Sequence, residues 1–124
     1  MNREEMYEEF RSKFPAISKE VDAVVIDEWI ELDIAGIYIW FEFLAKVINN
    51  KMNAKEPASS FKEMFEFLRA TYLKGDQGIK ACIDVGVVEN LFWNVSAEKS
   101  APYWGELPEV FKGLYVNFHL QPPA

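Results

Sequence analysis

Cysteine is almost missing from this chain: Cys82 stands alone among 124 residues. No intrachain disulfide can form and no multi-cysteine metal site can be built, which fits a reducing, cytoplasmic setting. Histidine is as scarce. His119 has no carboxylate four residues before it and no second histidine to share a metal, and imidazole chemistry needs an orienting partner. A Walker-type glycine loop, a dinucleotide fingerprint and a Gly-x-Ser-x-Gly elbow are all lacking. The expectation is a protein that is not an enzyme, with no catalytic residue, no metal and no cofactor.

Positive charge is also short, with 13 Lys and Arg against 20 Asp and Glu for a net charge of -7. Phosphate-backbone binding depends on clustered basic residues that release counterions, so no nucleic acid is expected as ligand. An anionic membrane surface is equally unattractive. No membrane-crossing run is present either. The most apolar stretch, Ile34 to Ile48, is interrupted by Glu42 and Lys46, whereas a span needs about 20 mostly apolar residues. Met1 to Phe14 is charged and amphipathic, without the uninterrupted apolar stretch of a secretory signal.

What the chain does have is apolar and aromatic side chains, at 50% and 15% of its residues. That is enough to bury one substantial core and unlike the composition of disordered chains. One domain over residues 1–120 is expected, with a tail at 121–124. Asn2 can cap a first helix, with Glu5 in capping-box position and Met6, Phe10 and Phe14 repeating every four residues. Pro15 ends that helix or opens the next, which carries Ile17, Val21 and Val24 or Val25. Val24 to Ile26 is β-branched enough for a short strand, but no alternating partner strand appears, so the segment is read as helix. A central helix from about Asp33 to Met52 gathers Ile37, Trp40, Phe41, Phe43, Leu44, Val47 and Ile48 on one arc. Its other face holds Tyr38, Glu42, Lys46 and Asn49 and is expected to meet solvent or a partner.

Ser60 is placed to cap the next helix with Glu63 completing the box, and Phe61, Met64, Phe65, Leu68 and Tyr72 form its stripe. Gly75 is expected as a left-handed stop, with Asp76 capping the helix that follows. Gln77 to Val95 reads as one largely buried helix, Ser96 to Leu107 as an irregular connection because of Pro102 and Gly105, and a last helix starts near Pro108. That last helix is expected to bury Val110, Phe111, Leu114, Tyr115 and Phe118. The predicted fold class is all-α: a single-domain antiparallel helical bundle of about five to six helices, with successive pairs resembling a short solenoid.

Two features stand out as candidate sites. Glu20, Asp22, Asp27, Glu28, Glu31, Asp33 and Glu42 fall in a run with no Lys or Arg between them. Such a run ordinarily marks a solvated face, but Trp29 inside it resembles an interface anchor ringed by charge. Asp22, Asp27, Glu28, Trp29, Glu31 and Asp33 are therefore candidate protein-binding residues, joined by the exposed-looking pair Tyr103 and Trp104. Glu89, at the centre of an arc with Cys82, Val85, Phe92 and Trp93, is a candidate buried carboxylate in a structural role.

The segment Phe65 to Trp93, FEFLRATYLKGDQGIKACIDVGVVENLFW, resembles a pattern in a family of small bacterial helical proteins of unassigned function. Members of that family look like immunity proteins of contact-dependent and polymorphic toxin systems. The shared features are an amphipathic helix, the turn at Gly75 and Asp76, and an apolar helix carrying Glu89 and then Leu91; Phe10, Phe14 and Pro15 also fit. The resemblance implies an inhibitor that binds a basic toxin domain and carries over no active site. The competing expectation is a helical scaffold or regulatory subunit, forming a homo-oligomer through Trp40 or Trp104.

Overall fold

A computed structural model of the protein describes residues 1–28 and 34–123, with the side chains of residues 27–35 outside that description. Seven α-helices occur among the described residues: α1 (Arg3–Lys13), α2 (Pro15–Glu28), α3 (Ile34–Asn53), α4 (Lys62–Lys74), α5 (Gln77–Ala81), α6 (Ala97–Glu106) and α7 (Glu109–His119). The all-helical reading holds, and the count of five to six is corrected to seven. No strand is present among the described residues, and Val24 to Ile26 lies within α2.

The central position belongs to α3, which packs against α1, α2, α6 and the segment that follows α5. Of its predicted arc, Ile37, Trp40, Phe41, Leu44, Val47 and Ile48 are buried, joined by Met52, whereas Phe43 is half-buried. Around them a single apolar cluster draws on every helix: Met6 and Phe10 from α1, Val21 and Val25 from α2, Met64, Phe65 and Leu68 from α4, Ile79 from α5, Tyr103 from α6, and Phe111 and Tyr115 from α7. Phe10 stands at an aromatic crossing, with ring centroids of Phe14, Trp40, Phe41 and Phe67 between 5.0 and 6.0 Å away. With Trp40 wholly inside this crossing, it offers no face for self-association.

Helix ends follow the local chemistry in some places and depart from it in others. The Asn2 side chain accepts from the Glu5 amide at 2.8 Å while the Glu5 carboxylate accepts from the Asn2 amide at 3.2 Å, a complete capping box. Asp76 accepts from the Ile79 amide at 2.9 Å and starts α5. Ser60 does not cap α4. A 3-10 turn over Ala58–Phe61 precedes that helix, and the Ser60 hydroxyl donates back to the Pro57 carbonyl at 2.6 Å instead. The turn fixed by Pro57 takes the hydroxyl that a cap would need.

Gly75 is not left-handed either: its φ of -78° and ψ of 159° are extended. The need for glycine here is steric. A Cβ at Gly75 would stand 2.4 Å from Ile79 Cγ2 and 2.9 Å from the Thr71 carbonyl oxygen, so the chain turns into α5 through a gap that holds no side chain. Gly75→Ala is expected to destabilise the fold by about 2 kcal/mol through overpacking. A urea midpoint equal to that of the parent protein would refute this.

The largest departure is the stretch expected as one helix from Gln77 to Val95. The α-helix stops at Ala81, widens into π turns over Cys82–Val87, tightens into a 3-10 turn over Val88–Asn90 and then leaves helical geometry. The Asn90 side-chain amide donates to the carbonyls of Val85 and Gly86 at 3.2 and 2.9 Å, satisfying the end of the coil. Ser96 to Leu107, expected to be irregular, contains α6: the Ser96 hydroxyl caps it by accepting from the Lys99 amide at 3.2 Å. Pro102 sits inside that helix on its exposed side and leaves one backbone bond unmade, while Ser100, Tyr103 and Leu107 are buried behind it. At the end of α7, Phe118 lies 56% exposed and not in the core as its spacing suggests. None of the helices is long and apolar enough to cross a membrane, among the described residues.

Candidate functional site

Charge divides the chain unevenly. Residues 1–33 carry ten acidic and four basic side chains, and the remainder carries ten and nine. Six of the seven net negative charges thus belong to α1, α2 and the short segment after them. Glu4, Glu5 and Glu8 of α1 are exposed, whereas Glu9 is paired with Lys13 at 3.2 Å and Glu20 with Lys51 at 2.8 Å.

Asp22 is not a free surface charge. Arg11 Nη1 and Nη2 donate to its two oxygens at 2.7 and 2.8 Å, and the indole N–H of Trp40 donates to Oδ1 at 2.9 Å. The Arg11 guanidinium in turn lies 5.2 Å from the Tyr7 ring centroid. These bonds hold the Asp22 carboxyl below its ordinary range, the Arg11 pair contributing most and the indole adding to it against the opposing effect of burial. Asp22 therefore ties α1, α2 and α3 together. Of the other residues proposed for this face, Trp29, Glu31 and Asp33 lie outside the described residues, as do the side chains of Asp27 and Glu28, although the backbone of these last two closes α2.

Tyr103 and Trp104 do not form an exposed pair. Tyr103 is buried and its hydroxyl donates to the Glu56 carbonyl, joining α6 to the turn after α3. Trp104 is half-buried, with Phe92 and Tyr115 ring centroids at 5.9 and 5.5 Å and Lys112 Nζ over its face at 5.8 Å. The helical geometry of α6 turns the tyrosine inward, which a reading of this segment as irregular could not anticipate.

Glu89 is half-buried and not enclosed, because the helix that would have centred it ends one residue later. Burial still raises its carboxyl, the charge of Asp84 adds to this and His119 partly offsets it. The imidazole of His119 stacks on Tyr115 at 4.1 Å and its Nε2–H donates to the Glu89 backbone carbonyl at 3.0 Å, so the histidine closes the α7 end against the 3-10 turn. Cys82 is buried, and burial pushes its thiol upward against the partial offset of Arg3. No group of three or more His, Cys, Asp or Glu side chains is arranged to hold a metal among the described residues.

The turn after Asn90 contains a feature that the periodicity of the sequence conceals. Phe92 and Asn94 both adopt left-handed backbone, with φ of 68° and 56°, and between them Trp93 is 73% exposed. Asn49 of α3 reaches this turn, although it was expected to face outward. It is 5% exposed, its amide donates to the Asn90 carbonyl and its oxygen accepts from the Phe92 amide, both at 2.8 Å. One turn further along α3, the Asn53 amide donates to the Asn94 carbonyl at 3.2 Å. A groove of about 360 Å³ runs between α3 and this turn, with Trp93, Glu42, Phe43 and Lys46 among its walls. Only the asparagine spacing, 49 and 53 against 90 and 94, carries any trace of it in the sequence.

Over residues 7–121 the chain matches the family described as Domain of unknown function (DUF7674). No curated protein and no solved structure matches it.

Proposed function

We propose that this chain, which belongs to the DUF7674 family, acts by binding a basic protein partner, as an inhibitor of the immunity type that neutralises a toxin domain. The observation that carries the reading is the confinement of six of seven net negative charges to residues 1–33. A field of one sign on one side of a protein speeds encounter with an oppositely charged partner and disfavours like-charged ones. Inhibition by occlusion requires no chemistry of the inhibitor, only a slow dissociation rate set by buried anchors. Trp29, within the acidic run, is the anchor proposed for that role.

The test is capture of the partner by the protein and by a variant carrying Asp27→Lys, Glu28→Lys and Glu31→Lys. Asp22 is left intact in the variant because it holds Arg11 and Trp40. A basic partner is expected to associate at least about tenfold more slowly with the variant at low salt, and the difference is expected to close as ionic strength rises. An unchanged association rate with unchanged salt dependence would remove the acidic face from the interaction.

A further inference from the structure

We infer that the groove beside Trp93 is a docking site for an arginine side chain of a protein partner. The inference rests on reading the protein as a binder of a basic partner, but none of the residues that line the groove belongs to the acidic stretch of residues 1–33. An indole buries more apolar area than almost any other side chain, so a fold normally gains by covering it. Here the opposite is built in. Asn49 and Asn53 hold the turn to α3, Phe92 is anchored by edge contacts with Trp104 and Tyr115, and Trp93 between them is left in solvent as a preformed platform.

The chemistry of the walls selects what stacks there. The side-chain nitrogens of Asn49, Asn53 and Asn90 all donate to backbone carbonyls, and the Asn49 oxygen is taken by the Phe92 amide. Asn53, Asn90 and Glu42 bring side-chain oxygens that can accept, while Asn50 and Asn94 bring amides that can both accept and donate. The electrostatic surroundings agree. Glu42 is the acidic side chain of the groove, and one turn before it on α3, outside the groove, burial raises the Tyr38 phenol and the charges of Glu42, Glu89 and Asp84 raise it further. Lys46 is the basic side chain of the groove, its Nζ 5.7 Å from the Phe43 ring centroid. A guanidinium fits this combination: it is planar, stacks on an indole face, and offers five donors and no acceptor. An ammonium is more strongly hydrated and lacks the planar face, and an anion would meet the Glu42 carboxylate.

The experiment is an NMR titration with an acetylated and amidated Gly-Arg-Arg-Gly peptide, repeated with citrulline in place of both arginines. Citrulline keeps the length and planar end of the side chain but loses its charge and exchanges one NH2 donor group for a carbonyl acceptor. The arginine peptide is expected to shift the Trp93 indole resonance and the Asn53 and Asn90 side-chain amides, saturably and with at least about tenfold higher affinity than the citrulline peptide. Trp93→Ala should lower that affinity about tenfold and Glu42→Gln several-fold, with the remaining spectrum unchanged. Equal binding of the two peptides overturns the proposal, as does a shift confined to α1 and α2 with Trp93 unmoved. So does a Trp93 shift produced by a neutral oligosaccharide such as maltotriose but not by the arginine peptide. The Asp27, Glu28 and Glu31 charge-reversal variant should still show the Trp93 shift, so loss of partner capture there and failure of the peptide here are separate results.

Discussion

Asn49→Leu is expected to destabilise the protein by about 3 kcal/mol. Leucine is nearly isosteric with asparagine, so the change opens little space, but it leaves the Phe92 amide and the Asn90 carbonyl without the partner that each has at 2.8 Å. A buried polar group deprived of its bond costs about 1–3 kcal/mol, and two are orphaned together. For a domain of this size the loss corresponds to a fall in Tm of roughly 10 °C. Asn50→Leu, one residue along on the exposed side of α3, is the control and is expected to stay within about 0.5 kcal/mol of the parent. If the two variants melt together, Asn49 is not what holds the turn. The Trp93 indole should also lose its fixed environment in Asn49→Leu, visible as line broadening at temperatures well below the melting transition.

Asp22→Ala has a comparable expected cost, about 2–3 kcal/mol, since it removes two charge-assisted bonds from Arg11 and one from the Trp40 indole at a junction of three helices. Its signature is dependence on pH. The Asp22 carboxyl is held below its ordinary range in the folded protein, so its contribution is fully present above the carboxyl's unfolded pKa and is lost as pH falls through the folded one. The stability difference between parent and Asp22→Asn should therefore be constant near neutrality and shrink on acidification. A difference that persists unchanged into strong acid would mean that the carboxylate charge is not what Arg11 recognises.

Local chemistry was legible at several helix ends, though not at Ser60, whose hydroxyl the Pro57 turn takes, nor at Gly75, which is extended. The Asn2 and Glu5 box, the Asp76 cap, the start of α7 after Pro108 and the inward arc of α3 all follow from spacing and side-chain type. The largest failure came where a distant residue intervenes. Periodicity continues the helix past Asn90 because Leu91, Phe92 and Trp93 are apolar, yet Asn49, more than forty residues earlier, takes the Phe92 amide that such a helix would have used. The proline in α6 misled for the related reason that burial of Tyr103 and Leu107 outweighs one missing backbone bond. In the acidic run, composition located the charge, but only the structure shows that Asp22 is committed to Arg11 and the Trp40 indole.

Cys82 lies in the first π turn with no solvent exposure and a thiol made less acidic by its surroundings. As the chain's one cysteine, it serves as a built-in clock for opening of the bundle. A disulfide reagent such as Ellman's can reach it only when the packing around the π turns opens, so the labelling rate under native conditions measures how often that packing breaks. A bound partner that grips α3 and the turn at Trp93 would slow the clock, whereas one that touches only the far side of the molecule would leave its rate alone.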